Sequence, residues 1–311
     1  MICAYIDQYR HQFGVEPICR VLTEHHMPIA PSSYYAHCRR PVTDALRAEA
    51  VLVNVVIDLH RKNRDAYGIR KMWHAMTQAG HRVGRDQVAR LMAIAGVQGV
   101  SRGQHTTTTT RRGSGAEHSR AADLIGRDWT APTRPDQWWV ADFTYVWTLA
   151  GFCYVSFVVD VYSRRVLGWR ASMSKTTALV MSAVEQALFT RRRTDTRFTA
   201  TGLVHHSDAG SQYTSIAFTT ALIDAGIAPS IGTVGDALDN ALMESTIGLY
   251  KTELIDRHRP TWTGPSEVEA ETAGWVHWFN TDRLHSSINY HPPITYEQQY
   301  RQTSSLTGEA A

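Results

Sequence analysis

The sequence predicts an α/β fold with a mixed central sheet, preceded by all-α, helix-turn-helix-like segments. Three observations carry this. The first hundred residues set apolar side chains at helical spacing. Residues 101–116 lose that spacing in a run of threonine, arginine and glycine. Beyond residue 136, three β-branched and aromatic runs come first, and short strands then alternate with helices.

In the first forty residues, Glu16–Thr23 places Ile18, Val21 and Leu22 at helical spacing, and Pro17 suits a first helical turn. A break follows at His26-Met27-Pro28, after which Ser32-Ser33 offers an N-cap for a second short helix through Tyr34-Tyr35. This segment, residues 1–42, is compatible with a helix-turn-helix. Ala45–His60 forms a longer helix with Leu46, Val51, Leu52, Val55, Val56 and Leu59 as one apolar stripe. Ile69–Ala79 repeats the period with Met72, Trp73 and Met76, and Gly80 ends it; Gln87–Ala95 follows with Val88, Leu91 and Met92 inward and Gly96 as the stop. Arg82, Arg85 and Arg90 flank or sit on this last helix, which suits a DNA major groove. A helical packing module with a solvated basic face reads equally well from the pattern, so residues 43–100 are either.

Residues 101–133 read as a basic flexible linker, with Thr106–Thr110 followed by Arg111-Arg112 and Gly113-Ser114-Gly115. Strands are expected at Gln137–Trp147, Gly151–Tyr162 and Arg165–Ala171, as an antiparallel meander. Helix Lys175–Thr190, strand Gly202–His206, helix Ser215–Ala225, strand Ile227–Ile231 and helix Leu238–Asp256 complete the alternation.

Composition narrows the function classes. A hydrophobic share of 43% excludes disorder as the main state, and the apolar stretch Phe152–Val161 is too short for a membrane span and contains Asp160. The N-terminus meets Asp7 without a basic lead, so a cytoplasmic protein without a signal peptide is expected. Cys3, Cys19, Cys38 and Cys153 form no C-x-x-C pair and read as reduced thiols; Cys19, His25, His26 and Cys38 fit no zinc-finger spacing. The net charge of +3 hides a division: residues 1–135 hold 19 Lys+Arg against 11 Asp+Glu, and residues 136–311 hold 13 against 18. A basic half suited to a polyanion precedes a half rich in carboxylates.

Three carboxylates stand out by position. Asp142 lies inside a strand built for a core, where a charge is costly unless paired or bound to metal. Asp208 ends the strand Val204-His205-His206-Ser207, and the C-terminal edge of such strands is where ligands bind. Glu244 lies in a helix whose face also carries Asn240 and Lys251. Convergent carboxylates are suited to hard divalent cations, a pair of which supports in-line phosphoryl displacement. Spacing alone also fits a salt-bridged carboxylate, a turn cap and a surface glutamate. Beside these, His206 shares a strand face with Asp208 and reads as a supporting or DNA-facing group. Asp160 is either a fourth site carboxylate or a turn cap beside Ser163. Trp138, Trp139, Trp147 and Trp169 serve either core packing or base stacking, and Arg191-Arg192-Arg193 either ends a helix or meets phosphate.

The offsets, 66 residues from Asp142 to Asp208 and 36 to Glu244, resemble the signature of bacterial insertion-sequence transposases of the D,D-35-E, retroviral-integrase-like family. So do the blocks Trp139–Tyr145, His206–Tyr213, Asp239–Ser245 through Glu253, the tail from Trp278 through Arg283, His285 and Pro292-Pro293, and the Tyr67-Gly68-Ile69-Arg70 stretch. The resemblance implies an RNase H-like catalytic core over residues 134–300, followed by a tail over 301–311. It implies a Mg²⁺-dependent enzyme, with Mn²⁺ as a substitute and two ions, that cleaves element ends and joins the freed 3′-hydroxyl to target DNA. Asp142, Asp208 and Glu244 would be the catalytic metal ligands, and Asn240 and Lys251 would support them or touch DNA. Ala209 departs from the polar residue common in relatives. The chain also resembles a second-reading-frame product, which implies a homo-multimer on DNA and an upstream-frame partner. Two rivals stand beside this reading: a hydrolytic nuclease of the same fold, and a non-catalytic DNA-binding subunit.

Overall fold

The computed structural model describes residues 2–39, 42–101, 123–124, 132–208, 210–232, 241–257 and 261–307. The expected linker, Ala209 and Asn240 lie wholly or almost wholly outside these. The chain divides into two compact units, Met1–Val55 and Val56–Ala311.

In the first unit, α1 (Ile2–Phe13), α2 (Val15–Glu24) and α3 (Pro31–Cys38) enclose Ile6, Ile18, Cys19, Leu22 and Tyr34. Gly14 turns the chain between α1 and α2 at φ +79°, a conformation a side chain would strain. The Tyr34 hydroxyl donates to Asp7 Oδ1 at 2.6 Å and accepts from Arg10, which buries its ring without stranding its polar end. The expected helix, turn and helix are α2 and α3, with α1 ahead of them. One expectation is corrected: α3 starts on Pro31 with Ala30 as its N-cap, not on the serines. Proline's fixed φ suits the first helical position, so no side-chain cap is needed. Along α4 (Asp44–Lys62), Leu46 and Val51 are exposed and only Val56 and His60 are buried, so the expected stripe is not a continuous core face.

In the second unit, α5 (Ile69–Gln78) and α6 (Arg85–Ala95) form a helical pair around Met72, Ala75, Met76, Val88, Leu91 and Met92. Gly96 closes α6 in the left-handed conformation. The pair is tied into the rest of the unit by Tyr67, whose hydroxyl accepts from the Leu284 N–H at 2.7 Å and donates to the Asp282 carbonyl.

The sheet is mixed, as expected, with order β3-β2-β1-β4-β5. β1 (Trp138–Thr148), β2 (Gly151–Asp160) and β3 (Val166–Ser172) form an antiparallel meander, and β4 (Val204–Ser207) and β5 (Ala228–Ile231) add in parallel on the other side of β1. Pro229 is tolerated on β5 because that strand is an edge. On one face α7 (Thr177–Thr194) and α8 (Ile216–Asp224) cover Trp139, Ala141, Val158 and Leu167. Gly168 is demanded there: a Cβ would stand 2.0 Å from the Ala183 carbonyl oxygen of α7. Elsewhere Phe157 packs edge-to-face on Tyr250 and Trp275, from α9 (Ala241–Tyr250) and α10 (Pro265–Thr281). Asn280 of α10 fastens the start of edge strand β3 by accepting from Val166 N–H at 2.9 Å and donating to its carbonyl at 2.8 Å.

α11 (Pro293–Thr307) runs past residue 301, where a tail was expected, and is held by a buried ion cluster. Glu297 accepts two hydrogen bonds from Arg191, at 2.7 and 2.8 Å, and one from Arg165 at 2.7 Å. Arg191 also reaches Asp136 at 2.6 Å and Asp160 at 3.6 Å. Asp160 accepts from the backbone N–H groups of Ser163 and Asp136, so it caps a turn and belongs to this cluster rather than to a site with Asp142. Arg191 is fully buried, which removes it as a phosphate contact; Arg192 and Arg193 are exposed. Burial by itself raises the Glu297 carboxyl, but the two guanidinium groups override it and hold Glu297 at about 2.

Glu297→Ala should therefore destabilise the fold by about 3–5 kcal/mol, because two buried cations lose their counter-charge. Glu297 is ionised in the folded state well below its unfolded range, so its contribution is complete above roughly pH 4.5 and lost as pH falls towards 2. The stability gap between the wild-type protein and Glu297→Gln, read by urea unfolding, should close over that window; a gap unchanged down to pH 2.5 counts against this role.

Candidate active site

The parallel register of β1 and β4 pairs Trp138 with Val204 and continues through Ala141 with Ser207. The next position on each is acidic: Asp142 inside β1, Asp208 immediately beyond the end of β4. These lie where the parallel strands end, the edge at which open α/β sheets bind ligands. α9 packs on β1 and carries Glu244 in its first turn, exposed, where the helix dipole favours an acid.

α9 continues into a π-helical turn, Lys251–Ile255. Its Glu253 is buried and accepts three hydrogen bonds from Arg283, at 2.6, 2.9 and 3.1 Å, which anchors the turn from which Lys251 projects. The Lys251 ammonium stands over the Tyr145 ring, 4.9 Å from its centroid.

The acids sense one another. Burial, then the charges of Asp208 and Glu244, push the Asp142 carboxyl up to about 7; the Phe143 N–H, donating at 2.7 Å, and Lys251 oppose this. Asp208 is raised as well, by desolvation first, against the Gly210 N–H at 3.1 Å and the charge of His206. Among the described residues, no three His, Cys, Asp or Glu side chains stand close enough to hold a metal ion. The chemistry of the donor set nevertheless fits a hard dication, since all its donors are carboxylate oxygens and their mutual repulsion is what such an ion relieves.

Other predicted residues fall into place unevenly. His206 is buried and its Nδ1 lies 2.9 Å from Ser230 Oγ, so its ring faces the interior and not solvent. His205 is also buried, with burial lowering it to about 3, and packs against Phe218. Trp139 and Trp169 are core residues, whereas Trp147 is 61% exposed. Arg82, Arg85 and Arg90 are all exposed around the α5–α6 turn, which a hydrogen bond from Trp73 Nε1 to the Val83 carbonyl fixes at 2.9 Å. Sequence reasoning did not single out Tyr213 or Ser156. The Tyr213 hydroxyl is fully buried beside the buried Ser156 hydroxyl, and it is raised by burial and by Asp142 and Asp208. Only the strand register and the contacts of a folded chain place it near the carboxylates.

A mixed sheet that brings acids from a central strand, a strand end and a flanking helix within electrostatic reach defines an integrase-type core. The comparisons agree: residues 132–237 and 225–293 match models of the integrase core domain, and residues 42–105 match an HTH-like domain. The chain is 44% identical over 301 residues to the transposase for insertion sequence element IS629 of Shigella sonnei, covering 95% of each. It is also 44% identical over 274 residues to a putative transposase for IS986/IS6110 of Mycobacterium tuberculosis, covering 88% of this chain and 96% of that one. The HTLV-2 integrase catalytic core domain in complex with magnesium aligns with 53% of this chain and 98% of its own at 18% identity, with a TM-score of 0.40. The chain belongs to the insertion-sequence transposases with an integrase core domain, and the mixed sheet with flanking helices that was expected is the fold found. Its HTH-like and integrase domains make DNA its class of partner. Among the described residues no helix is long and apolar enough to cross a membrane.

An acid raised above its unfolded value costs stability where it is ionised. Asp142→Asn should therefore stabilise the metal-free fold at pH 8 by about 1–3 kcal/mol, allowing for solvent at the open edge. Asp142 binds its proton more tightly when folded, so this gain should fade as pH drops from about 7 to 4. Thermal melts at both pH values measure it; equal stability of the two proteins at pH 8 refutes the crowding.

Proposed function

We propose that Asp142, Asp208 and Glu244 form the catalytic centre of a DNA transposase that cleaves element ends with water and joins the freed 3′-hydroxyl to a target phosphodiester. The β1–β4 register that continues to Asp142 and Asp208, together with the effect of the Glu244 charge on Asp142, supports this reading. The three carboxylates would hold Mg²⁺, or Mn²⁺ in its place, as two ions; when bound, such ions supply nucleophile activation and stabilise the leaving oxygen.

The chain's own groups do the rest. The β1 strand and the Phe143 N–H fix the Asp142 carboxyl. His206, held by Ser230, supports Asp208 with positive potential. Lys251, at the end of the helix that carries Glu244, offers a cation to a phosphate of the strand being cut. Asn240 belongs to the same helix face by spacing. Arg82, Arg85 and Arg90 hold the DNA through its phosphates and the major groove, as the basic half of the sequence suggests. Two element ends have to be processed together, so the working form is a homo-multimer on DNA, joined by the product of an upstream reading frame. A cytoplasmic, nucleoid-bound protein follows from this partner.

Asp142→Asn, Asp208→Asn and Glu244→Gln should each abolish end cleavage and joining while leaving binding to terminal-repeat DNA intact, and a chelator should do the same to the wild-type protein. A strand-transfer assay on pre-cut ends reads the joining step. Hydrolysis without joined product makes the chain a nuclease, and DNA binding without either reaction makes it a subunit. Arg85→Ala and Arg90→Ala should weaken binding across sequences and reduce its salt slope by about one charge each; filter binding at several salt concentrations that finds both affinity and slope unchanged removes α6 from the interface.

A further inference from the structure

We propose that the β1–β2 hairpin presents a stacking platform for unpaired nucleotides at a DNA end, leading a strand towards Asp142. This rests in part on the transposase reading, because it assigns the platform to the same DNA.

The observation is an aromatic cluster where a core would not put one. Tyr145, Trp147 and Phe152 are 43, 61 and 45% exposed. Residues paired directly in an antiparallel ladder share a face, and Tyr145 pairs with Tyr154 and Trp147 with Phe152. The rings meet edge-to-face: Tyr145 to Phe152 at 5.3 Å and 84°, Trp147 to Phe152 at 4.8 Å and 75°. That packing fixes each ring while leaving much of Trp147 open to solvent. The hairpin itself is anchored, since Leu149 N–H donates to the Trp262 carbonyl at 2.8 Å and Thr148 bridges to Trp262.

The occupant follows from charge and place. By register this face continues through Phe143, Ser156, Arg170 and Ser172, none of them acidic; its one acid among the paired positions, Asp160 opposite Trp139, is buried and held by Arg191. Its positive charges are Arg170 and Lys251, whose ammonium caps the Tyr145 ring. Lys251 follows directly on α9, the helix that carries Glu244, so the ring cluster and the acid-bearing helix meet at this ammonium. Tyr145 lies three residues from Asp142, about 10 Å along the strand, and this odd offset sets the two side chains on opposite faces of β1, so a strand on the platform reaches the acids around the sheet edge. Aromatic faces interleaved with cations suit an unpaired strand, because every base has a π-face and every nucleotide a phosphate. A protein partner would be served by the rings but has no use for a cation at the end of the acid-bearing helix.

The test compares a fluorescein-labelled duplex carrying a three-nucleotide single-stranded overhang with a blunt duplex of equal length, by anisotropy at fixed salt. The wild-type protein should prefer the overhang, and Trp147→Ala should weaken that binding about 5–100-fold while blunt-end binding stays within about twofold. Trp147→Phe should restore most of the preference, and Phe152→Ala should act like Trp147→Ala. Trp147 is exposed, so its loss leaves the fold intact, which unchanged circular dichroism verifies. No preference in the wild-type protein, or equal losses on both DNAs, overturns the platform. So does light scattering that shows Trp147→Ala breaking a multimer with overhang preference kept, which assigns the patch to protein contact. A wild-type protein that prefers overhangs but neither cuts nor joins leaves the platform standing and removes the transposase reading.

Discussion

The structure depends on one costly juxtaposition. Parallel pairing of β1 with β4 brings Asp142 and Asp208 to the same sheet edge, where burial raises both and the charge of Asp208 raises Asp142 further. A sheet edge built for stability alone would place threonine or valine there. The surrounding parts hold the arrangement against its own repulsion: a short hydrogen bond from the Phe143 N–H, the positive potential of His206, and the Lys251 cation from the end of α9. Such local conflict between charge and stability is characteristic of sites that work on charged substrates.

The rigidity needed to sustain this comes from the C-terminal third of the described chain. Glu297 gathers Arg165 and Arg191 under α11, Asn280 fastens the start of β3, and Arg283 grips Glu253 in the π-helical turn after α9. Each of these residues is polar and buried, and each contact spans elements far apart in sequence. Arg283 is the most economical of them, since it anchors the turn carrying Lys251 while Leu284 and Asp282 beside it bind Tyr67 ahead of α5. A single corner of the fold thus steadies both the acid centre and the basic helical pair.

The hairpin shows a different balance. Among the aromatic residues of the sheet, Trp139, Phe157 and Trp169 are spent on packing. The same strands leave Tyr145, Trp147 and Phe152 in solvent because α7 covers the sheet nearer β3 and the hairpin projects with an open face. One strand therefore supplies a buried apolar half, an acid, and an exposed aromatic half within eleven residues.

The sequence by itself determined the class of fold and most of its elements. Alternation and helical period are local properties, so β1 to β5 and α4 to α9 fall within a few residues of their expected places; Asp142 and Asp208 could be picked out because one interrupts a strand and the other ends one, and Glu244 because of its spacing from them. What it could not decide were outcomes set by partners distant in the chain. The apolar stripe of α4 looked like a core face, yet Leu46 and Val51 stay in solvent, because periodicity shows that a helix has an apolar side but not that anything covers it. Asp160 and Arg191 read as candidates for the site or for phosphate; only the approach of Glu297 from α11, more than a hundred residues later, turned them into a structural ion cluster. Trp147 and Trp139 are the same residue type on the same strand, and the tertiary fold alone gave one to the core and the other to solvent. Burial and charge pairing are properties of the assembled chain, which is why the acids were legible as residues and their mutual field was not.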